Sequence, residues 1–186
     1  MDIQARPAAA GGAMSRQRIM AGMLALSTAG MAGWIAMEGY SAKPYIPTKG
    51  DVPTIGHGST RYEDGAPVRM TDPPISRTRA AELAANLFAA DAKLCWRGLE
   101  SVPVTQVEYD TYSDFCGQFG VGNFQRSRIP RLLKAGRYSA ACDALLLYKY
   151  QGGRDCSLPA SRGPDGCSGV WSRQLKRHAA CVGEQG

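Results

Sequence analysis

Apolar and polar positions divide this chain into three kinds of segment. An uncharged run over residues 19–37, IMAGMLALSTAGMAGWIAM, follows Arg16 and Arg18 and carries no polar stripe. Residues 38–74 are dense in Gly, Pro, Tyr and Thr, and residues 52–55 with Gly56 and Gly58 predict short strands and turns. Ser76 then stands as an N-cap before residues 77–97, where Leu83, Leu87, Phe88 and Leu94 recur at helical spacing. Residues 107–117, 128–134, 139–150 and 169–182 continue as helix-like stretches separated by Gly or Pro. A small sheet near the front with helices behind it predicts an α+β domain. No repeat or long linker interrupts it.

The uncharged run sets the first question. Nineteen residues as helix span about 28 Å, close to the ~30 Å hydrocarbon core of a bilayer. The basic flank lies on the N-terminal side, which leaves the N-terminus in the cytoplasm and Glu38 onward outside. Yet ten of the nineteen residues are Ala, Gly, Ser or Thr. Such side chains gain little from lipid, at ~0.8 kcal/mol for each buried CH₂. Three readings follow. Residues Gly30-Met31-Ala32 offer a weak cleavage site for a signal peptide; the run stays as a permanent anchor or soluble Ala-rich helix; or it is inserted and later leaves the bilayer. The composition favours the last. The expected organisation is a disordered tail over residues 1–15, a releasable signal-anchor over residues 16–37, and a catalytic domain over residues 38–186.

Composition narrows the class. The 186 residues are 44% hydrophobic and 20% charged, which excludes a disordered chain. The net charge of +6 suits an anionic polymer or membrane surface. Two histidines are too few for a His-rich metal centre; no metal, cofactor or nucleic acid is expected, and a monomer is. The cysteines Cys95, Cys116, Cys142, Cys156, Cys167 and Cys181 contain no C-x-x-C pair. An even number points to disulfides and an oxidising compartment, the alternative being buried thiols. The short Gly- and Pro-containing loop between Cys156 and Cys167 suggests that pair, contributing ~2–3 kcal/mol by loop closure.

From Glu38 the motifs resemble phage-type lysozymes, glycoside hydrolase family 24. Glu38-Gly39-Tyr40, then Tyr45, then Pro53-Thr54-Ile55-Gly56-His57-Gly58 follows the family's N-terminal pattern of a Glu ending the first helix, a Tyr, an Asp, and Thr-Ile-Gly-x-Gly in a small sheet. Residues 118–124 (QFGVGNF) resemble its Asn-Val-Gly-x-Gly-x-Phe stretch, and Ser127 with residues 129–133 its Ser-Thr-Leu-Leu helix start. Gly152-Gly153-Arg154 and residues 169–174 (GVWSRQ) resemble its Gly-Gly-Arg and Gly-Leu-x-x-Arg-Arg ending. The resemblance covers residues 34–182. It implies a lysozyme-like fold, with a small antiparallel sheet lobe, a mainly helical lobe and an N-terminal hydrophobic helix. It also implies a muramidase cleaving the β-1,4 bond between N-acetylmuramic acid and N-acetylglucosamine in host lysis. The weakly hydrophobic segment further resembles that of signal-anchor-release endolysins, held inactive at the inner membrane and freed into the periplasm on depolarisation.

Glycoside hydrolysis needs a proton on the leaving oxygen and a water or carboxylate at the anomeric carbon. Glu38 is the acid candidate, because it follows apolar Trp34, Ile35 and Met37 and such neighbours favour a protonated carboxyl. The resemblance assigns Thr54 the orientation of a water. It also implies an Asp nine residues after the Glu and six before the Thr. Here Glu38 to Thr54 is sixteen residues, one more than the pattern; the two counts reach Pro47 and Thr48, neither a carboxylate. Either Asp51 supplies the second carboxylate from a rearranged loop, or Thr48 and Thr54 hold a water between them. Asp51 and Thr54 are an odd number apart, which in a regular strand sets them on opposite faces. His57, where the family carries Ile, Tyr or Phe, is a candidate sugar contact or a solvent-edge residue. Gln118 matches a family Asn near the cleft. Arg173, Lys176 and Arg177 are spaced for one exposed helix face. The competing functions are a non-catalytic wall-binding or membrane-tethered module of lysozyme fold, and a disulfide-rich secreted inhibitor or toxin.

Overall fold

The computed structural model describes residues 17–163 and 166–185. The expected tail, residues 1–15, and Arg16 lie outside the described residues. The chain enters through a two-residue strand β1 (Ile19–Met20) and a 3₁₀ turn, then helix α1 (Thr28–Met37), capped by Ser27, whose hydroxyl accepts from Gly30 N at 3.0 Å. Strands β2 (Ser41–Tyr45) and β3 (Thr54–Gly56) pair antiparallel, Ser41 opposite Gly56 and Tyr45 opposite Thr54, with a register shift between. Helix α2 (Arg77–Cys95) starts at the expected N-cap, Ser76 Oγ accepting from Arg79 N at 3.1 Å. Strand β4 (Pro103–Val104) pairs antiparallel with β1 and leads into helix α3 (Gln106–Phe119). Short helices α4 (Val121–Arg126), α5 (Ile129–Lys134) and α6 (Tyr138–Ala144) follow. A hairpin of β5 (Tyr150–Gln151) and β6 (Arg154–Asp155) precedes helix α7 (Ser168–Gly183).

Two hydrophobic clusters define two lobes. The smaller gathers Ile55, Val68 and Leu83 beneath the β2–β3 sheet. The larger surrounds Trp96, Tyr112, Phe115 and Phe124, with Trp96 stacked on Tyr109 at 4.8 Å and its Nε1 donating to Ser113 Oγ at 2.9 Å. Helix α2 belongs to both, giving Leu83 to the first cluster and Cys95 to the second. Its 19 residues, about 28 Å, therefore tie the sheet lobe to the helical lobe. Helix α3 packs against α1, α2, α4 and α7, and so forms the axis of the larger lobe.

All six cysteines pair: Cys95 with Cys116, Cys142 with Cys181, and Cys156 with Cys167. The first staples α2 to α3, the second α6 to α7, and the third closes the loop before α7.

The N-terminal run departs from the single helix expected over residues 19–37. Only Thr28–Met37 is α-helical, about 15 Å long, and among the described residues no helix is long and apolar enough to cross a membrane. The stretch before Ser27 lies along the helical lobe instead. Ala21 N and Gly22 N donate to Val102 O and Glu100 O, both at 2.9 Å, and Ala21 is fully buried in the core. Arg18 forks onto the buried Glu108, Nε to Oε2 at 3.2 Å and Nη2 to Oε1 at 2.9 Å. In lipid every backbone group must pair within a helix; in water a neighbouring loop can satisfy them, and Ser27 then sets a new helix start.

Candidate active site

Glu38 is the residue at which α1 ends, its N–H closing the last turn onto Ile35 O at 3.2 Å. One turn earlier Trp34 stacks on Phe88 of α2, ring centroids 4.6 Å apart and planes within 18°. That contact fixes the direction in which the chain leaves the helix, and β2 begins three residues later. The carboxylate lies against the loop that follows β3: a Cβ built on Gly58 would fall 3.4 Å from Glu38 Oε2. Gly58 also has φ +86°, a conformation that side chains with a Cβ disfavour. The Glu38 side chain remains 34% exposed. Beside it a recess of about 110 Å³ opens between the lobes, lined by Trp34, Gly58, Arg61, Phe88, Asp91 and Gly117 among others.

The helical lobe faces the same carboxylate from α7. Arg173 Nη1 lies 3.7 Å from Glu38 Oε1, while its Nη2 donates to Asp114 Oδ1 of α3 at 2.8 Å. Asp114 also accepts from Arg177 Nε at 2.6 Å, and Arg177 Nη1 reaches Gln118 Oε1 at 2.6 Å and Gln174 Oε1 at 2.8 Å. The exposed basic face expected for α7 is therefore corrected. Arg177 is only 4% exposed and Arg173 is turned inward, because both lie one turn apart on the side facing α3; Lys176 alone of the three points to solvent. Burial pushes the Arg177 guanidinium's pKa down, and the Asp114 carboxylate opposes that shift. Gln118, a candidate substrate residue, is engaged by Arg177 within this network.

The remaining candidates sit on the sheet lobe. Thr54 opens β3 at 5% exposure, and its hydroxyl donates to Val52 O at 3.2 Å. Thr48 and Asp51 come together in a tight exposed turn, Asp51 N donating to Thr48 O at 3.0 Å and Thr48 Oγ1 to Asp51 Oδ2 at 2.5 Å. The alternation argued for Asp51 and Thr54 does not apply, because residues 51–53 lie outside the strand; Pro53 has no N–H to give a ladder. His57 Nδ1 lies 2.7 Å from Gly39 O, which can only accept, so that nitrogen carries the proton. His57 thereby pins the residue following Glu38, and its ring tilts against Tyr40 at 5.6 Å. Asp114 was not legible as part of this site. The only sequence signal was a carboxylate beside apolar Phe115, four residues after Asp110 and followed by 28 residues without an acid.

The family model described as phage lysozyme matches residues 35–162, a span holding Glu38, Thr48, Asp51, Thr54, His57 and Gln118. The chain belongs to the phage lysozyme family. As a phage lysozyme it is a glycosidase that hydrolyses peptidoglycan. It is 32% identical to the endolysin of Salmonella phage P22 over 144 residues, covering 75% of this chain and 94% of that one. A SAR-endolysin of Escherichia phage 933W is 31% identical over 133 residues, 70% of this chain and 71% of that protein. The crystal structure of a P22 lysozyme mutant superimposes with a TM-score of 0.68 at 26% identity, covering 86% of this phage lysozyme and 99% of that chain. The lysozyme-like α+β architecture follows from the same likeness, and the enzyme is favoured over the wall-binding module.

Proposed function

We propose that Glu38 is the general acid that protonates the leaving oxygen of the β-1,4 bond between N-acetylmuramic acid and N-acetylglucosamine. The observation that carries this reading is the placement of one half-exposed carboxylate at the seam of the lobes, between Gly58 on one side and Arg173 on the other. Thr54 orients the attacking water. Its hydroxyl hydrogen is committed to Val52 O, so its oxygen is left to accept from water. Asp51, braced by Thr48, supplies the base on the connection between β2 and β3. A water activated in this way favours inversion over a covalent intermediate. Gln118 and His57 act by holding the cleft walls. Glu38→Gln should lower muralytic rate by about 10²–10⁴, the usual contribution of a general acid, while wall binding is retained. Unchanged lysis by that variant refutes the assignment.

We further propose that residues 19–37 hold the enzyme at the host inner membrane before release into the periplasm, as the likeness to SAR-endolysins supports. Arg18 starts on the cytoplasmic side in that state and must cross the bilayer to reach Glu108. Moving one charge across costs ~2.3 kcal/mol per 100 mV, a cost that vanishes on depolarisation. Gly33→Leu tests this. A Cβ at Gly33 meets nothing within 4 Å, whereas at Gly30 it would fall 2.8 Å from Asp110 Cγ. Gly33→Leu therefore adds ~3 kcal/mol of lipid affinity, at ~0.8 per carbon, and its Cβ meets no neighbour in the folded protein. The variant should stay in the membrane fraction; a normally released, soluble variant sinks the proposal.

A further inference from the structure

We propose that Asp114 is a positioning residue for the acid, acting through Arg173; the inference rests on Glu38 being that acid. Arg173 stands between two carboxylates and is bonded to one. Its Nη2 donates to Asp114 Oδ1 at 2.8 Å, its Nη1 faces Glu38 Oε1 at 3.7 Å, beyond hydrogen-bond reach, and its Nε is buried without a partner. The guanidinium is thus anchored at its Asp114 end. Asp114 is itself immobilised, because Arg177 donates Nε to its Oδ2 at 2.6 Å and Nη2 to its backbone carbonyl at 3.0 Å. Arg177 is in turn held by Gln118 and Gln174.

A guanidinium with one carboxylate in reach closes on it, because a charge-assisted bidentate pair is the strongest geometry open to both. Asp114 competes for Arg173 and holds it short of Glu38. Glu38 keeps an oriented cation nearby, yet its oxygens stay free to carry a proton to a sugar. Loss of the Asp114 charge lets Arg173 swing onto Glu38 and engage it. The effect falls mainly on the chemical step, because Arg177 keeps its bonds to Gln118, Gln174 and the Asp114 backbone carbonyl.

The test is a double-mutant cycle on the purified, oxidised full chain, with soluble glycan fragments as substrate. Asp114→Asn should reduce kcat roughly tenfold with KM changed less than about twofold. In an Arg173→Met background the same substitution should change kcat by less than about twofold, since coupled residues do not add. Equal losses in both backgrounds mean that Asp114 merely supports the fold, and overturn the proposal, as does an undiminished kcat. Should Asp114→Asn not fold, Arg173→Lys gives the reading: an ammonium bonded to Asp114 has no second nitrogen to keep oriented toward Glu38, so kcat falls, and a kcat within twofold of the parent overturns it. Full activity in Glu38→Gln signals instead that the acid is misassigned.

Discussion

Arg18→Met should lower the melting temperature of the soluble protein by about 4–8 °C. The argument starts from Glu108, which has no exposed side-chain surface, while Arg18 is 27% exposed. Removing one partner from a buried ion pair costs about 3–5 kcal/mol, because the other charge is left uncompensated. Here the loss is smaller. Glu108 keeps hydrogen bonds from Thr105 N at 2.8 Å and Gln185 Nε2 at 2.7 Å, and Arg18 was already part-solvated. About 2 kcal/mol remains, including the stacking of Arg18 over Tyr138 at 3.9 Å. A chain of this length loses about 2–4 °C per kcal/mol. Thermal unfolding followed by circular dichroism reads the shift. The pair Arg18→Met with Glu108→Gln should melt above Arg18→Met alone, since no lone charge stays buried. Melting of Arg18→Met within about 1 °C of the parent refutes the reasoning, because Glu108 would then be solvated and β1 unseated in solution.

Two further outcomes follow from the body of the protein. Hydrogen bonds from Arg79, then Asn86, hold the Glu63 carboxyl well below its usual range, at about 2. A depressed carboxyl stabilises above its unfolded pKa and loses that contribution as pH falls through the folded value. The advantage of the parent over Glu63→Gln should therefore be constant above about pH 5 and gone near pH 2; both side chains are about a third exposed, so it stays below ~1 kcal/mol. An advantage that persists at pH 2 contradicts the pairing. Among the disulfides, Cys142–Cys181 closes 39 residues and Cys156–Cys167 closes 11, worth about 4 and 3 kcal/mol by loop entropy. Replacing the first pair with Ala should lower the melting temperature more than replacing the second, and the reverse order counts against that ranking.

The helices were legible because their signals are local. Ser76 caps α2 as expected, and the periodic stretches at 107–117 and 169–182 correspond to α3 and α7. What stayed hidden was pairing at a distance. Strand β1 exists because Ile19 meets Val104, 85 residues away, and nothing in a two-residue stretch announces that partner. The same holds for the site. Glu38 and Thr54 stood in motifs, whereas the face of α7 was misread because an Arg at helical spacing looks alike whether water or Asp114 waits opposite. Extrapolating a strand through Asp51 failed at Pro53, a residue whose missing donor was visible beforehand.

The three covalent links all lie at or beyond Cys95, while residues 17–37 are attached by hydrogen bonds, one ion pair and packing alone. The catalytic body can thus be locked into shape by oxidation with the leading segment still elsewhere. Under the release proposed above, that segment arrives as a ligand would, at a ready-made berth formed by Glu108, Gln185 and the edge of β4, and completes the first helix of the cleft by mass action of a tethered guest.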